Sequence, residues 1–185
     1  MANDVVHEFY HFVLPEKVQT FIDETRLKVH PESHVKDSTL RIFSSGKIHL
    51  THEHAEAMSR ILKAYATTPI ELNIIGVSTQ SGGSIFLDFA FSTCAHLKHY
   101  KGLRRCITDC YTMWKIHPDP VSNIFYNPSP KKQRLLLTVC SNHQQALEMY
   151  NQYECIFSHL VGAPISPEGV KLVRTDGTVV LQWMK

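Results

Sequence analysis

A chain of 185 residues, 43% hydrophobic and 19% charged, is long enough to bury a core and is most simply one domain, spanning 1–185. Its 19 Lys and Arg against 17 Asp and Glu leave a net charge of +2, which excludes the strongly basic class of nucleic-acid binders, so any attraction for an anion has to be local. The five cysteines (94, 106, 110, 140 and 155) are odd in number and form no Cys-x-x-Cys pair, which argues against a disulfide framework or zinc knuckle and for a reducing compartment.

Residues 7–14 (HEFYHFVL) predict a strand, and Pro15 opens a helix with Val18, Phe21 and Ile22 at helical spacing. From His30 to Gly46 no period is clear, which predicts a loop with room for a short strand. Residues 47–52 (KIHLTH) predict the second strand. A helix from about Glu53 then carries Met58, Ile61, Leu62 and Tyr65 on one face and ends at Pro69. PIELNIIGVSTQ predicts a third strand, which an SGG turn joins to SIFLDFAF at 84–91.

The second half repeats this order. Ser92 or Thr93 caps a helix with Leu103, Ile107, Cys110 and Trp114 in a stripe. A proline-spaced loop from His117 to Lys132 leads to the strand QRLLLTVCS. A helix with Ala146, Tyr150, Tyr153, Phe157 and Leu160 follows, and two strands about an Asp176-Gly177 turn close the chain. The order is thus βαβαβ twice with an extra terminal strand; together with the family resemblance set out below, it implies an α+β domain of two pseudo-symmetric lobes, about 7–80 and 84–185, with antiparallel sheets and a central cleft. Thr51 and Thr138 fall at matching places, late in the strand before the second helix of each half.

Several features invite chemistry. His49, His52, Glu53 and His54 are dense, but they fit neither H-E-x-x-H nor H-x-x-E-H, so surface histidines are the simpler reading and no metal is expected. Lys131, Lys132 and Arg134 precede Thr138 and suit a phosphate or an RNA backbone, or else a solvated loop end. His96, Lys98, His99, Lys101, Arg104 and Arg105 make one helix basic, which a solvent-facing surface also explains. Tyr10, Phe86, Tyr126 and Trp183 are aromatic candidates for base stacking, though aromatics in strands are more often core. The N-terminus is too charged for a signal peptide and no run approaches the ~18 apolar residues of a membrane span, so a cytoplasmic location without a membrane partner is expected.

FYHFVLPEKVQTFIDE, IHLT, PIELNIIGVSTQSGGSIFLDF and VKLVRTDGTVVLQW occur in that order between His7 and Trp183. In that ordered set the chain resembles the two-histidine (2H) phosphoesterase superfamily, which includes 2′-5′ RNA ligase-like proteins and cyclic phosphodiesterases. The resemblance implies two H-x-(S/T) motifs facing each other across a cleft, one imidazole taking a proton from the attacking hydroxyl while the other gives one to the leaving oxygen. It implies that His49 is an acid or base, that Thr51 and Thr138 hold phosphoryl oxygens, and that no cofactor is needed. The implied partner is an RNA or nucleotide with a 2′,5′ or cyclic phosphate.

The chain departs from that pattern at one point. Of twelve histidines only His49 is followed two places on by Ser or Thr, and Leu136 stands where the second imidazole is expected. Losing one proton-transfer partner costs roughly 10²–10⁴ in rate. The expectation is therefore a nucleotide- or RNA-binding cleft with weak or lost hydrolysis. The alternatives are an active phosphodiesterase with a non-standard second group, for which His117 and His143 are candidates, and a non-catalytic protein-interaction module.

Overall fold

The computed structural model describes residues 8–33, 35, 39–46, 50–66, 68–116 and 131–185, with the side chains of 43–46 and 66 outside that description. In chain order the elements are β1 (Glu8–Val13), α1 (Glu16–Val29), β2 (Leu40–Gly46), α2 (His52–Ala66), β3 (Leu72–Gln80), β4 (Ser84–Phe91) and α3 (Cys94–Met113). After them come β5 (Lys132–Val139), α4 (His143–Phe157), a short 3₁₀ turn (Ser158–Leu160), β6 (Pro164–Ile165), β7 (Gly169–Arg174) and β8 (Val179–Met184). No described helix is long and apolar enough to cross a membrane.

Caps explain where the helices begin. Pro15 precedes α1, its carbonyl accepting from Val18 and Gln19. Thr93 accepts from the amide of His96 at 3.2 Å and Asn142 from that of Gln145 at 2.8 Å, each satisfying an amide the helix leaves without a partner. The SGG turn between β3 and β4 uses positive φ at Gly82 (+96°) and Gly83 (+79°), a conformation that glycine alone adopts without strain.

The strands form one antiparallel sheet in the order β6-β3-β4-β5-β2-β1-β7-β8. The chain repeats as predicted, β1-α1-β2-α2-β3 and then β4-α3-β5-α4 with β6 and β7. The third strand of each repeat, however, pairs with the first strand of the other: β3 lies on β4, and β7 lies on β1. The half-sheets β6-β3-β4-β5 and β2-β1-β7-β8 therefore draw on both halves of the chain, and the lobes do not divide at residues 80–84. They meet at a seam where Leu40 of β2 faces Leu135 of β5.

Two sequence expectations change here. The segment from His30 to Gly46 contains β2, a central strand, because Leu40 and Ile42 are buried and it is paired on both sides. Residues 47–49 lie outside the described residues, and Leu50 and Thr51 are not in a strand. Thr51 instead caps α2: its Oγ1 accepts from the amide of His54 at 3.3 Å and its carbonyl from Ala55 at 2.9 Å. Helix capping takes Thr51 out of the predicted strand.

One core takes in both half-sheets. Tyr10 and Phe12 of β1, Leu40 and Ile42 of β2, Leu135 and Leu137 of β5, and Leu87 and Phe89 of β4 pack in one cluster with buried side chains from all four helices. These strand residues share a parity, so they point to one face of the sheet and leave the intervening residues on the other.

Candidate functional site

The second face carries a row of polar side chains that no single strand reveals. Directly opposed residues of paired strands point the same way. Gly76 faces Asp88, Asp88 faces Arg134, His11 faces both Arg41 and Lys171, and Lys171 faces Gln182. The antiparallel Leu40–Leu135 pair at the seam sets Arg41 beside Arg134. The row therefore runs Asp88, Arg134, Arg41, His11, Lys171, Gln182 across six strands. Gly76 at its β3 end has φ of +140° and nothing within 4 Å of where a Cβ would stand.

The two ends of the row differ in charge. Arg134 Nε lies 3.3 Å from Asp88 Oδ1, and its guanidinium stands 5.4 Å from the Phe86 ring. Burial pushes the Asp88 carboxyl up, against the charges of Arg134 and Lys132. Toward β7, Arg41 lies over Phe9 at 3.6 Å, and Lys171 is half-buried with no hydrogen bond or ion pair among the described residues.

His11 stands between these two cations and is 4% exposed, with its Nδ1 buried and without a hydrogen-bond partner among the described residues. Burial, then the charges of Arg41 and Lys171, push its pKa down to about 3, so the ring is neutral at pH 7. Sequence reading passed over His11, Arg41 and Lys171. Their signal was present as a polar residue between two core residues, in Tyr10-His11-Phe12, Leu40-Arg41-Ile42 and Val170-Lys171-Leu172.

Thr138 is not in this row. β5 carries a bulge at Leu137, since Phe86 faces Leu136 but Ile85 faces Thr138, and the strand's alternation breaks there. Thr138 is turned onto the helix face, 0% exposed, while Leu136 and Arg134 stay on the other. Its Oγ1 lies 2.6 Å from Nδ1 of His30, just past the end of α1, and 3.1 Å from Ser33 Oγ.

The proton positions in that cluster follow from one backbone amide. Ser141 N–H can only donate, and it donates to the Gln145 side-chain oxygen at 2.9 Å. Gln145 Nε2 therefore faces His30 Nε2, at 3.3 Å, and donates to it. The His30 proton then sits on Nδ1 and goes to Thr138, whose own proton goes to Ser33. Thr138 thus spends its hydroxyl on the fold, accepting from His30 and donating to Ser33. That corrects the expectation of a phosphoryl contact from Thr138.

The remaining expected residues are scattered. His49 and His117 lie outside the described residues, as does Tyr126. Thr51 is exposed at the α2 N-terminus, and Lys131 and Lys132 are exposed where β5 begins. Leu50, next to His49, donates its amide to the fully buried Glu8 at 3.3 Å, and Glu8 also accepts from Arg174 Nε at 3.0 Å. His52 lies 3.2 Å from Glu56 and His54 stacks on Trp114 at 4.4 Å, so both are engaged locally. His143 is exposed at the start of α4, beside a cavity of about 880 Å³ between that helix and the β3–β4 turn. No charged side chain lines that cavity apart from what His143 would carry when protonated.

No protein-family model matches the chain, and no curated protein matches it. Among solved structures, the crystal structure of TT0787 from Thermus thermophilus aligns with a TM-score of 0.59 at 15% identity, over 96% of this chain and 97% of that one. The chain shares the α+β fold of that structure. At that identity the likeness describes architecture and not chemistry. Usb1 of Kluyveromyces marxianus also aligns, with uridine monophosphate bound, at a TM-score of 0.43 and 8% identity over 98% of each chain, a level that supports no further argument.

Proposed function

We propose that the protein binds a nucleotide or the phosphate of an RNA on the polar face of its sheet, and that its hydrolysis of 2′,5′- or 2′,3′-cyclic phosphodiesters is weak or lost. The observation that carries this is the row itself, in which Arg134, Arg41 and Lys171 gather on one face with one imbalance of charge. A chain of net charge +2 has no general attraction for nucleic acid, so such a local concentration supplies it. Lys131 and Lys132 extend it along an RNA backbone, and Thr51 offers an exposed hydroxyl two residues from His49.

Two features argue for binding over turnover. Leu136 is an aliphatic side chain on the polar face, two residues from Arg134, where the 2H pattern expects an imidazole. His11 does not replace it: a group titrating at about 3 holds no proton to give at neutral pH and takes one poorly. Burial is the larger cause of that depression, and a bound phosphate leaves burial in place.

The test is product analysis after long incubation with 2′,5′-oligoadenylate and 2′,3′-cyclic nucleotides, using wild type, His49→Ala and Leu136→His. Silence in wild type with turnover in Leu136→His is the expected result. Turnover in wild type that His49→Ala abolishes would replace the proposal with an active enzyme using a different second group.

A further inference from the structure

The cavity beside α4 has a wall that the nucleotide reading leaves unused. Val77, Ser78, Thr79 and Gln80 all line it, although successive side chains of a strand point to opposite faces. The cavity therefore runs along the edge of β3 and not over one face of the sheet. Ile74 is the last residue of β3 bonded on that side among the described residues, its amide donating to the Ala163 carbonyl at 3.3 Å and its carbonyl accepting from Gly162 at 2.8 Å. From Gly76 to Gln80 the strand pairs with β4 alone among the described residues. An antiparallel strand turns half of its backbone groups to each side, so the outward amides and carbonyls of this stretch have no described partner.

The opposite wall is one face of a helix. His143, Ala146, Leu147 and Tyr150 fall at i, i+3, i+4 and i+7 on α4, with Leu147 49% exposed and Tyr150 half-buried. One end is closed where Cys140 donates its amide to the Gly83 carbonyl at 2.9 Å. We propose that this groove takes an extended, uncharged segment of a partner protein, which adds a strand to β3 and lays alternate apolar side chains against Leu147 and Tyr150. The strand edge selects the ligand class, since a polypeptide backbone repeats its donors and acceptors at the spacing of the edge itself. Charge complementarity narrows it. The groove is lined by no carboxylate, lysine or arginine, so a charged side chain would lose its water there and gain no partner, and a nucleic-acid backbone would meet no fixed cation. The groove shares no residue with the row of Arg134, Arg41 and Lys171, so this inference and the nucleotide reading stand or fall separately.

The experiment selects random heptapeptides displayed on phage against the immobilised full chain, with Leu147→Glu as the parallel bait. Leu147 lies half in solvent, so its replacement spares the core, and thermal melting checks that the variant is folded. Wild type should enrich uncharged peptides with apolar residues at every second position, and Leu147→Glu should not. The best selected peptide is then synthesised with a single N-methyl group at each position in turn. Methylation at alternate residues should weaken binding about tenfold, because each removes one amide bond to the strand edge, and the intervening positions should change it little. Bound peptide should also slow hydrogen exchange at alternate amides between Gly76 and Gln80. Failure of wild type to enrich any peptide over the folded variant overturns the proposal. So does enrichment of charged sequences, equal sensitivity to methylation at every position, or exchange protection that leaves this edge untouched.

Discussion

Two polar clusters lie on opposite faces of the same sheet, and they are built on opposite principles. Around Thr138, on the helix face, every group of the Ser141–Gln145–His30–Thr138–Ser33 chain has its partner, and a single amide fixes the direction of each proton. Around His11, on the polar face, a ring nitrogen has none among the described residues and its neighbours are cations. A satisfied buried network holds a structure together, whereas an unsatisfied one costs stability that a ligand can return. Residue type alone would have reversed the two, because threonine beside histidine looks like chemistry and a histidine within FYHFV looks like core.

The largest effect expected from breaking this contrast is on affinity. Lys171→Glu should weaken RNA binding about a hundredfold while leaving urea stability close to wild type, since it reverses a half-buried charge that has no described partner. Thr138→Val should do the opposite: about 1–3 kcal/mol of stability lost in urea denaturation, from orphaning His30 and Ser33, with the folded protein binding RNA as before. A Thr138→Val protein that is fully stable but no longer binds would return Thr138 to the ligand site.

Acid separates the clusters further. The folded pKa of His11 is about 3 against an ordinary value of 6.5, so between those pH values the unfolded chain takes up a proton that the folded chain refuses. Stability therefore falls as pH drops from 6.5 toward 3, and above 6.5 this histidine contributes nothing to the pH dependence. Replacing it with Phe removes that liability, so the variant should gain on wild type progressively as pH falls through this window, as read by chemical denaturation at several pH values. A constant difference would mean that the ring is already charged in the folded protein. The smallest effect belongs to Lys131→Ala and Lys132→Ala: each should lower the salt slope of RNA binding by about one.

Much of the architecture was legible as pattern. The helices announced themselves through Leu103-Ile107-Cys110 and Ala146-Tyr153-Phe157 spacing, and the β3–β4 hairpin through alternation around SGG. β2 was not, because two inward residues, Leu40 and Ile42, are too few to set a period. The strand exists because β1 and β5 pair with it. The HLT segment misled for a related reason: its alternation is that of a strand, but Thr51 finds a helix amide to accept from. In β5 the bulge at Leu137 leaves Leu136 on the face of Arg134 and turns Thr138 to the other.

The sequence by itself determined the doubled βαβαβ order and the α+β class, because periodicity is a local property. His11, Arg41, Lys171 and Asp88 each stand between two apolar residues in the sequence, and Arg134 precedes Leu135. Only the tertiary structure decided that these five form one row, since the row depends on register across five strands that are distant in the chain. It also brought His30 to Thr138, 108 residues away, and crossed β3 and β7 between the repeats. Register is set by many weak pairings acting together, and no residue carries it alone.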